Sequence, residues 1–299
     1  MLKSLKAVVL GGSVLAGVLG VAQSANALPV KVEEVVLYRG GTLTDWLNDQ
    51  NIIFDDSMNN GNPLTGPLFS NGSASNYTYH NLQNPADFNK AFIETNGLLI
   101  NADYATVSQN AANTGLGRGL GLRLQTNTSD PVRGLNQNTS FAAAAAFAYQ
   151  APAAGYGYGV RLTDSFSNGS DIVDLRIYNS GAGSFIYFRH QDFLAATITD
   201  YASRTPIVPD GASVIALFLA REDANTDVIK GYYGFANVNG DLLGSVVDIG
   251  QTTIFHGEVH TQFELRALAP VPEPESYAML LAGLGLMGVV ARRKKNWQS

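Results

Sequence analysis

The chain has 299 residues and a formal net charge of −6, from 19 Lys and Arg against 25 Asp and Glu. That balance argues against a nucleic-acid binder. The absence of cysteine removes disulfides, thiol catalysis and any Cys-ligated zinc or iron–sulfur site.

Residues 1–27 read MLKSLKAVVLGGSVLAGVLGVAQSANA. Lys3 and Lys6 give a short positive region, and an uncharged apolar run follows. Ala25 and Ala27 then place small residues where a signal peptidase requires them. The pattern predicts a secretory signal peptide cut by signal peptidase after Ala27. The remaining body, 28–270, carries 23 acids and 13 bases, a net charge of −10, and one tryptophan, Trp46. Its length suits a single all-β domain.

Asn and Gly crowd residues 58–76 (MNNGNPLTGPLFSNGSASN), which predicts a long exposed loop. A second polar stretch lies at 126–139. Between and beyond these, strand signals recur. In 118–125, Leu120, Leu122 and Leu124 fall on one face. In 156–162, Tyr156, Tyr158, Val160 and Leu162 oppose Gly157, Gly159 and Arg161. In 171–178, Val173, Leu175 and Ile177 oppose Asp174 and Arg176. This period of two predicts a sheet with one wet face. Asn168-Gly169 is a hairpin-turn signal between the last two strands. The run 141–149, FAAAAAFAY, sets alanine's helix propensity against strand parity of Phe141, Phe147 and Tyr149; it is read as a strand. A short strand is expected at 184–189.

Residues 213–220, SVIALFLA, are apolar on both faces, which predicts a central strand. The turn 223–227 and the strand 228–236 follow. Asn239-Gly240 offers another turn, and the last strands are expected near 251–256 and 258–267. Many short strands, Gly/Asn turns and little helix predict a sandwich or jelly roll. The progression GLLI (97–100), RGLGLRL, FAAAAAFAYQAP, YGYGVRLTDS and DIVDLRIY resembles the concanavalin A-like, laminin-G-like sandwiches of surface proteins. SVIALFLAREDANTDVIKGYYGF is similar to their paired back strands. The resemblance implies an all-β jelly roll over 28–270 and a calcium ion beside a glycan groove.

Candidate chemistry is sparse. His256, Glu258 and His260 share one side of an extended strand, where two imidazoles and a carboxylate suit zinc or another divalent metal if the strand curves. The competing reading is the solvent face of an amphipathic strand. Asp223, Asn225 and Asp227, and likewise Asp55, Asp56 and Asn59, make oxygen-rich turns suited to calcium, or Asx turns capping their own backbone. Trp46, Tyr232 and Tyr233 are candidates to stack on sugar rings, with Tyr156 and Tyr158 beside them, or to pack in the core. A glycosidase needs two carboxylates about 5–9.5 Å apart. Laminarinase-like relatives pack such acids at alternate positions, resembling E-x-D-x-x-E, and that motif is missing. No G-x-S-x-G elbow occurs.

The last segment, 271–299, begins Val271, Pro272, Glu273, Pro274. Fourteen uncharged, mostly apolar residues follow at 278–291, then Arg292, Arg293, Lys294 and Lys295. After an N-terminal signal this is a stop-transfer pattern, a transmembrane helix with its basic end inside. The segment resembles the PEP-CTERM sorting signal of exopolysaccharide-producing Gram-negative bacteria. The resemblance implies cleavage by an exosortase near residues 272–274 and delivery to the cell surface or extracellular matrix. The expected function is a non-catalytic surface or matrix protein gripping exopolysaccharide or a matrix glycan. A secreted polysaccharide hydrolase and a protein-binding scaffold are the alternatives.

Overall fold

The computed structural model describes residues 29–103, 106–109, 119–124, 126, 135, 139–166, 169–192, 197–253 and 261–268. The chain divides into two units, Met1–Ala269 and Pro270–Ser299, and every described residue belongs to the first.

Period-two alternation makes strands, and the described residues form fifteen of them. In chain order they are β1 (Val30–Arg39), β2 (Ile52–Asp56), β3 (Tyr77–His80), β4 (Phe92–Glu94), β5 (Leu98–Ile100), β6 (Leu120–Leu124), β7 (Phe141–Ala148) and β8 (Gly157–Phe166). Then come β9 (Gly169–Asn179), β10 (Ser184–Asp192), β11 (Thr197–Arg204), β12 (Val214–Arg221), β13 (Val228–Ala236), β14 (Leu242–Thr253) and β15 (Thr261–Leu268). Two short helices, α1 (Leu43–Leu47) and α2 (Phe88–Ala91), complete the elements used below.

The strands form two sheets, with every pairing antiparallel. The first runs β14-β13-β12-β7-β1-β5-β4, with β2 also on β1. The second runs β11-β10-β9-β8-β15-β6-β3. One apolar cluster joins their inner faces. It takes Val35, Leu37, Phe147, Leu217 and Phe235 from the first sheet, and Leu122, Val160, Leu175, Phe188 and Leu265 from the second. This is a β-sandwich.

The alanine run becomes strand β7 because pairing outweighs propensity. Ala143 stands between Leu37 and Leu219, and Ala145 between Val35 and Leu217, so large neighbours fill the space its small side chains leave. Strand β12 is buried along its whole length, as its two apolar faces predict. The region 57–76 is a loop between β2 and β3, although Met58 and Phe69 turn into the core.

Three expectations are corrected. The outer face of the second sheet is not wet at its centre: Arg161, Asp174, Arg176, Glu264 and Arg266 on β8, β9 and β15 are all buried. Strand β14 starts at Leu242, well before 251, because Leu242 and Leu243 already pair with Ala236 and Phe235. Strands β1 to β4 also precede the first strand expected from the pattern. Asn168, most of 126–139, and the segments 1–28 and 269–299 lie outside the described residues.

Candidate functional site: an arginine ladder beside an aromatic patch

The outer face of the second sheet concentrates charge. Register places Arg189 (β10), Asp174 (β9), Arg161 (β8), Glu264 (β15) and Arg123 (β6) in one row across the strands. The adjoining row reads Tyr187, Arg176, Gly159, Arg266, Gly121 and His80. Five of the body's 13 bases therefore share one face of one sheet. Among the described residues the acids of these rows are Asp174, Glu264 and Asp200, the last opposite Arg189 on β11.

The two acids are tightly held. Arg161 grips Asp174 in a fork, Nε to Oδ1 at 2.8 Å and Nη2 to Oδ2 at 3.0 Å. Glu264 accepts from Arg123 Nε at 2.8 Å and from Arg266 Nη1 at 2.6 Å. Burial alone would raise both carboxyls. Arg161 instead holds Asp174 below its usual range, and Arg266, His80 and Arg161 hold Glu264 well below it. His80 Nδ1 lies 2.8 Å from Arg266 Nη1 and 3.0 Å from Arg123 Nη2. Burial lowers the His80 pKa; Glu264 opposes the shift and the two arginines add to it. A neutral ring with Nδ1 unprotonated accepts from a guanidinium. Glu264 Oε1, 2.8 Å away, becomes its partner once Nδ1 carries a proton.

Arg176 differs from its neighbours. It is 6% exposed, packs 5.4 Å over the Tyr178 ring, and its Nε has no hydrogen-bond partner among the described residues. Burial lowers its pKa to about 10, against the pull of Asp174 and aided by the repulsion of Arg189, Arg161 and Arg266. Gly159 makes room for it, since a Cβ there would press on Arg176 Cβ at 2.6 Å.

Next to Arg176 the face turns aromatic. Phe185 stands opposite Tyr178, and Tyr187 opposite Arg176. Tyr187 packs edge-on against both Tyr178 and Phe185, each at 6.0 Å. All three rings are half-buried and keep some surface in solvent. These residues were legible as the outward parity of 171–178 and 184–189; the signal was an aromatic and an arginine alternating on adjacent strands.

The candidates chosen from sequence sit elsewhere. Trp46 on α1 is fully buried, 6.5 Å from Tyr38, and its Nε1 donates to Gly40 O at 2.8 Å. Tyr232 and Tyr233 are each 4% exposed and face opposite sides of the first sheet; Tyr232 Oη donates to Glu222. None of these rings presents a face to a sugar. Tyr158 is buried in the core and Tyr156 packs against it. In the 223–227 turn, Asp223 Oδ1 accepts from Asn225 N at 2.8 Å, an Asx turn. The turn already wraps a cation: Arg221 donates to Thr226 O at 2.6 Å and Ala224 O at 3.0 Å, and its Nη2 lies 3.5 Å from Asp227.

Other clusters have their own geometry. Burial raises the Asp55 carboxyl, and its interaction with Glu34 opposes the rise. Asp56 accepts from Met58 N and Tyr77 Oη, and Glu94 from backbone at 60–62, so both anchor the 57–76 loop. Thr252, His190 and Asp171 have the order of a hydrolase triad. Yet Thr252 is 5% exposed, and the His190–Asp171 distance of 3.8 Å exceeds a hydrogen bond. Among the described residues no group of three or more His, Asp or Glu suits a metal ion. His256, Glu258 and His260 lie outside them. No described helix is long and apolar enough to cross a membrane.

Residues 270–295 match the PEP-CTERM protein-sorting motif. The match spans Val271, Pro272, Glu273 and Pro274, the apolar run, and Arg292, Arg293, Lys294 and Lys295. The chain therefore carries the sorting signal of an exosortase-processed protein, exported to the cell envelope of a Gram-negative bacterium. No curated protein and no solved structure matches the chain.

Proposed function

We propose that this is an exported surface or matrix protein that binds polysaccharide without cleaving it, through the outer face of the second sheet. The observation that carries the reading is the patch of Tyr178, Phe185 and Tyr187 beside Arg176 and Arg189. Aromatic rings receive the apolar faces of sugars, and arginine forks bind their oxygen substituents. The sorting motif supports the address, because it sends the sandwich where such glycans are laid down.

In this reading residues 1–27 are a signal peptide, and 28–270 form a concanavalin A-like jelly roll. Residues 271–299 hold the chain in the inner membrane through 278–291 until exosortase acts. The test is affinity electrophoresis of the full chain through gels containing exopolysaccharide. Retardation is expected, and Tyr187→Ala should weaken it about thirtyfold, as truncating a central aromatic anchor costs roughly 2 kcal/mol. Unretarded migration, or release of reducing sugar ends, would overturn the reading.

A further inference from the structure

We infer that the aromatic–arginine face contains a carboxylate subsite centred on Arg176, so that its polysaccharide carries acidic, uronate-type sugars. The inference rests on the polysaccharide reading above and names the class of sugar.

Three observations converge. The first is charge. Five arginines stand in the two rows with three acids, Asp174, Glu264 and Asp200, and the Asp174 and Glu264 carboxylates are occupied by Arg161, Arg123 and Arg266. The second is Arg176 itself: buried, over the Tyr178 ring, with Nε lacking a hydrogen-bond partner among the described residues. A buried guanidinium edge is costly to leave unmatched, and a carboxylate offers the two parallel acceptors its fork fits. The third is the neighbourhood. Tyr187 stands directly opposite Arg176, so a sugar ring resting on the half-buried aromatics places its substituents next to the guanidinium.

The contrast with the rest of the body strengthens the point. A body with a net charge of −10 repels polyanions at long range, and this face is a local positive island. Repulsion among Arg176, Arg189, Arg161 and Arg266, which helps lower the Arg176 pKa, would be relieved by an incoming anion.

The test is calorimetric titration of the full chain with a galacturonate trimer, its fully methyl-esterified form, and inorganic sulfate. The ester keeps the sugar and removes the charge. The acid is expected to bind about tenfold or more tightly than the ester, the usual size of a charge-assisted hydrogen bond. That gap should shrink as salt rises. Arg176→Gln should abolish the gap by bringing binding of the acid down to that of the ester. If Arg176→Gln does not fold, Arg176→Lys keeps the charge without the fork and should narrow the gap. Equal binding of acid and ester would overturn the carboxylate subsite while leaving the polysaccharide reading standing. Sulfate binding as tight as the trimer would overturn the acidic-sugar assignment in favour of a free anion. Failure of the trimer to bind would overturn the inference, and the electrophoresis above then decides the broader reading separately.

Discussion

Gly121 on β6 lies directly beneath the carboxylate of Glu264 on β15: a Cβ at 121 would collide with Glu264 Oε1 and approach its Cδ to 2.8 Å. The carboxylate cannot simply move aside, because Arg123 and Arg266 fix it from two directions. Gly121→Ala is therefore expected to destabilise the fold by about 1–3 kcal/mol, the usual range for overpacking. Urea unfolding checks this. The midpoint should fall with an unchanged slope, and an unchanged midpoint would show that the carboxylate is free to move.

Arg161 and Asp174 make a buried fork in the outer row, with side chains 1% and 3% exposed. Removing one partner strands charge in a low-dielectric setting. Asp174→Asn should cost about 3–5 kcal/mol, whereas Arg161→Met with Asp174→Leu should cost clearly less. Denaturant melts of the three proteins decide it. A double variant as unstable as the single one would mean that neighbouring arginines, rather than the pair, depend on Asp174.

Acid should weaken this face in two stages. Burial lowers the His80 pKa below its ordinary 6.5, so on acidification the unfolded chain takes up this proton first. Stability therefore falls as pH drops through about 6.5, and this loss ends when folded His80 protonates. Glu264 is held well below 4.5, so its contribution is complete above 4.5 and is lost as pH falls further. His80→Gln should remove the first stage and leave the second. Urea midpoints measured from neutral pH down to about pH 3 check both; an identical profile in the variant would exclude His80 as the source.

The turn 223–227 is read in sequence as an oxygen-rich loop, and its geometry gives those oxygens another partner. Arg221 draws the carbonyls of Ala224 and Thr226 onto its guanidinium. Calcium is expected to give no saturable heat in calorimetry with the full chain and no shift in melting temperature. Arg221→Ala should destabilise the β12–β13 turn by about 1 kcal/mol, since it strips donors from partly buried carbonyls. Saturable calcium binding that Asp223→Asn abolishes would reinstate the ion.

How much of this was legible depends on the distance between the residues concerned. Strand β12 announces its central place because seven consecutive apolar residues, Val214–Ala220, need cover on both sides. The alternation in 156–162 correctly puts Tyr158, Val160 and Leu162 on one face. It says nothing about whether the other face meets water. That depends on cross-strand register, which puts Asp174 and Glu264 on either side of Arg161, so that opposite charges satisfy one another and can be buried. Trp46 fails as a sugar platform for a similar reason: the helix carrying it closes over Tyr38, a contact no local pattern encodes. The sorting motif is legible because its parts are contiguous.

That contiguity makes the address separable from the fold. The motif match covers residues 270–295, and the described core residues all precede it in the chain, so Pro272, Glu273 and Pro274 are not among them. Replacing all three with alanine should leave the melting temperature of the purified chain unchanged. In a Gram-negative host with an active exosortase, the same variant should accumulate as the longer, membrane-associated form, while the parent is shortened at its C-terminal end. Immunoblots of membrane and surface fractions, with mass spectrometry of the C-terminus, read both quantities. Equal shortening and equal surface delivery of the variant would mean that the matched segment is not what the processing enzyme recognises. A parent that is shortened only when exosortase is present would tie the segment to that enzyme.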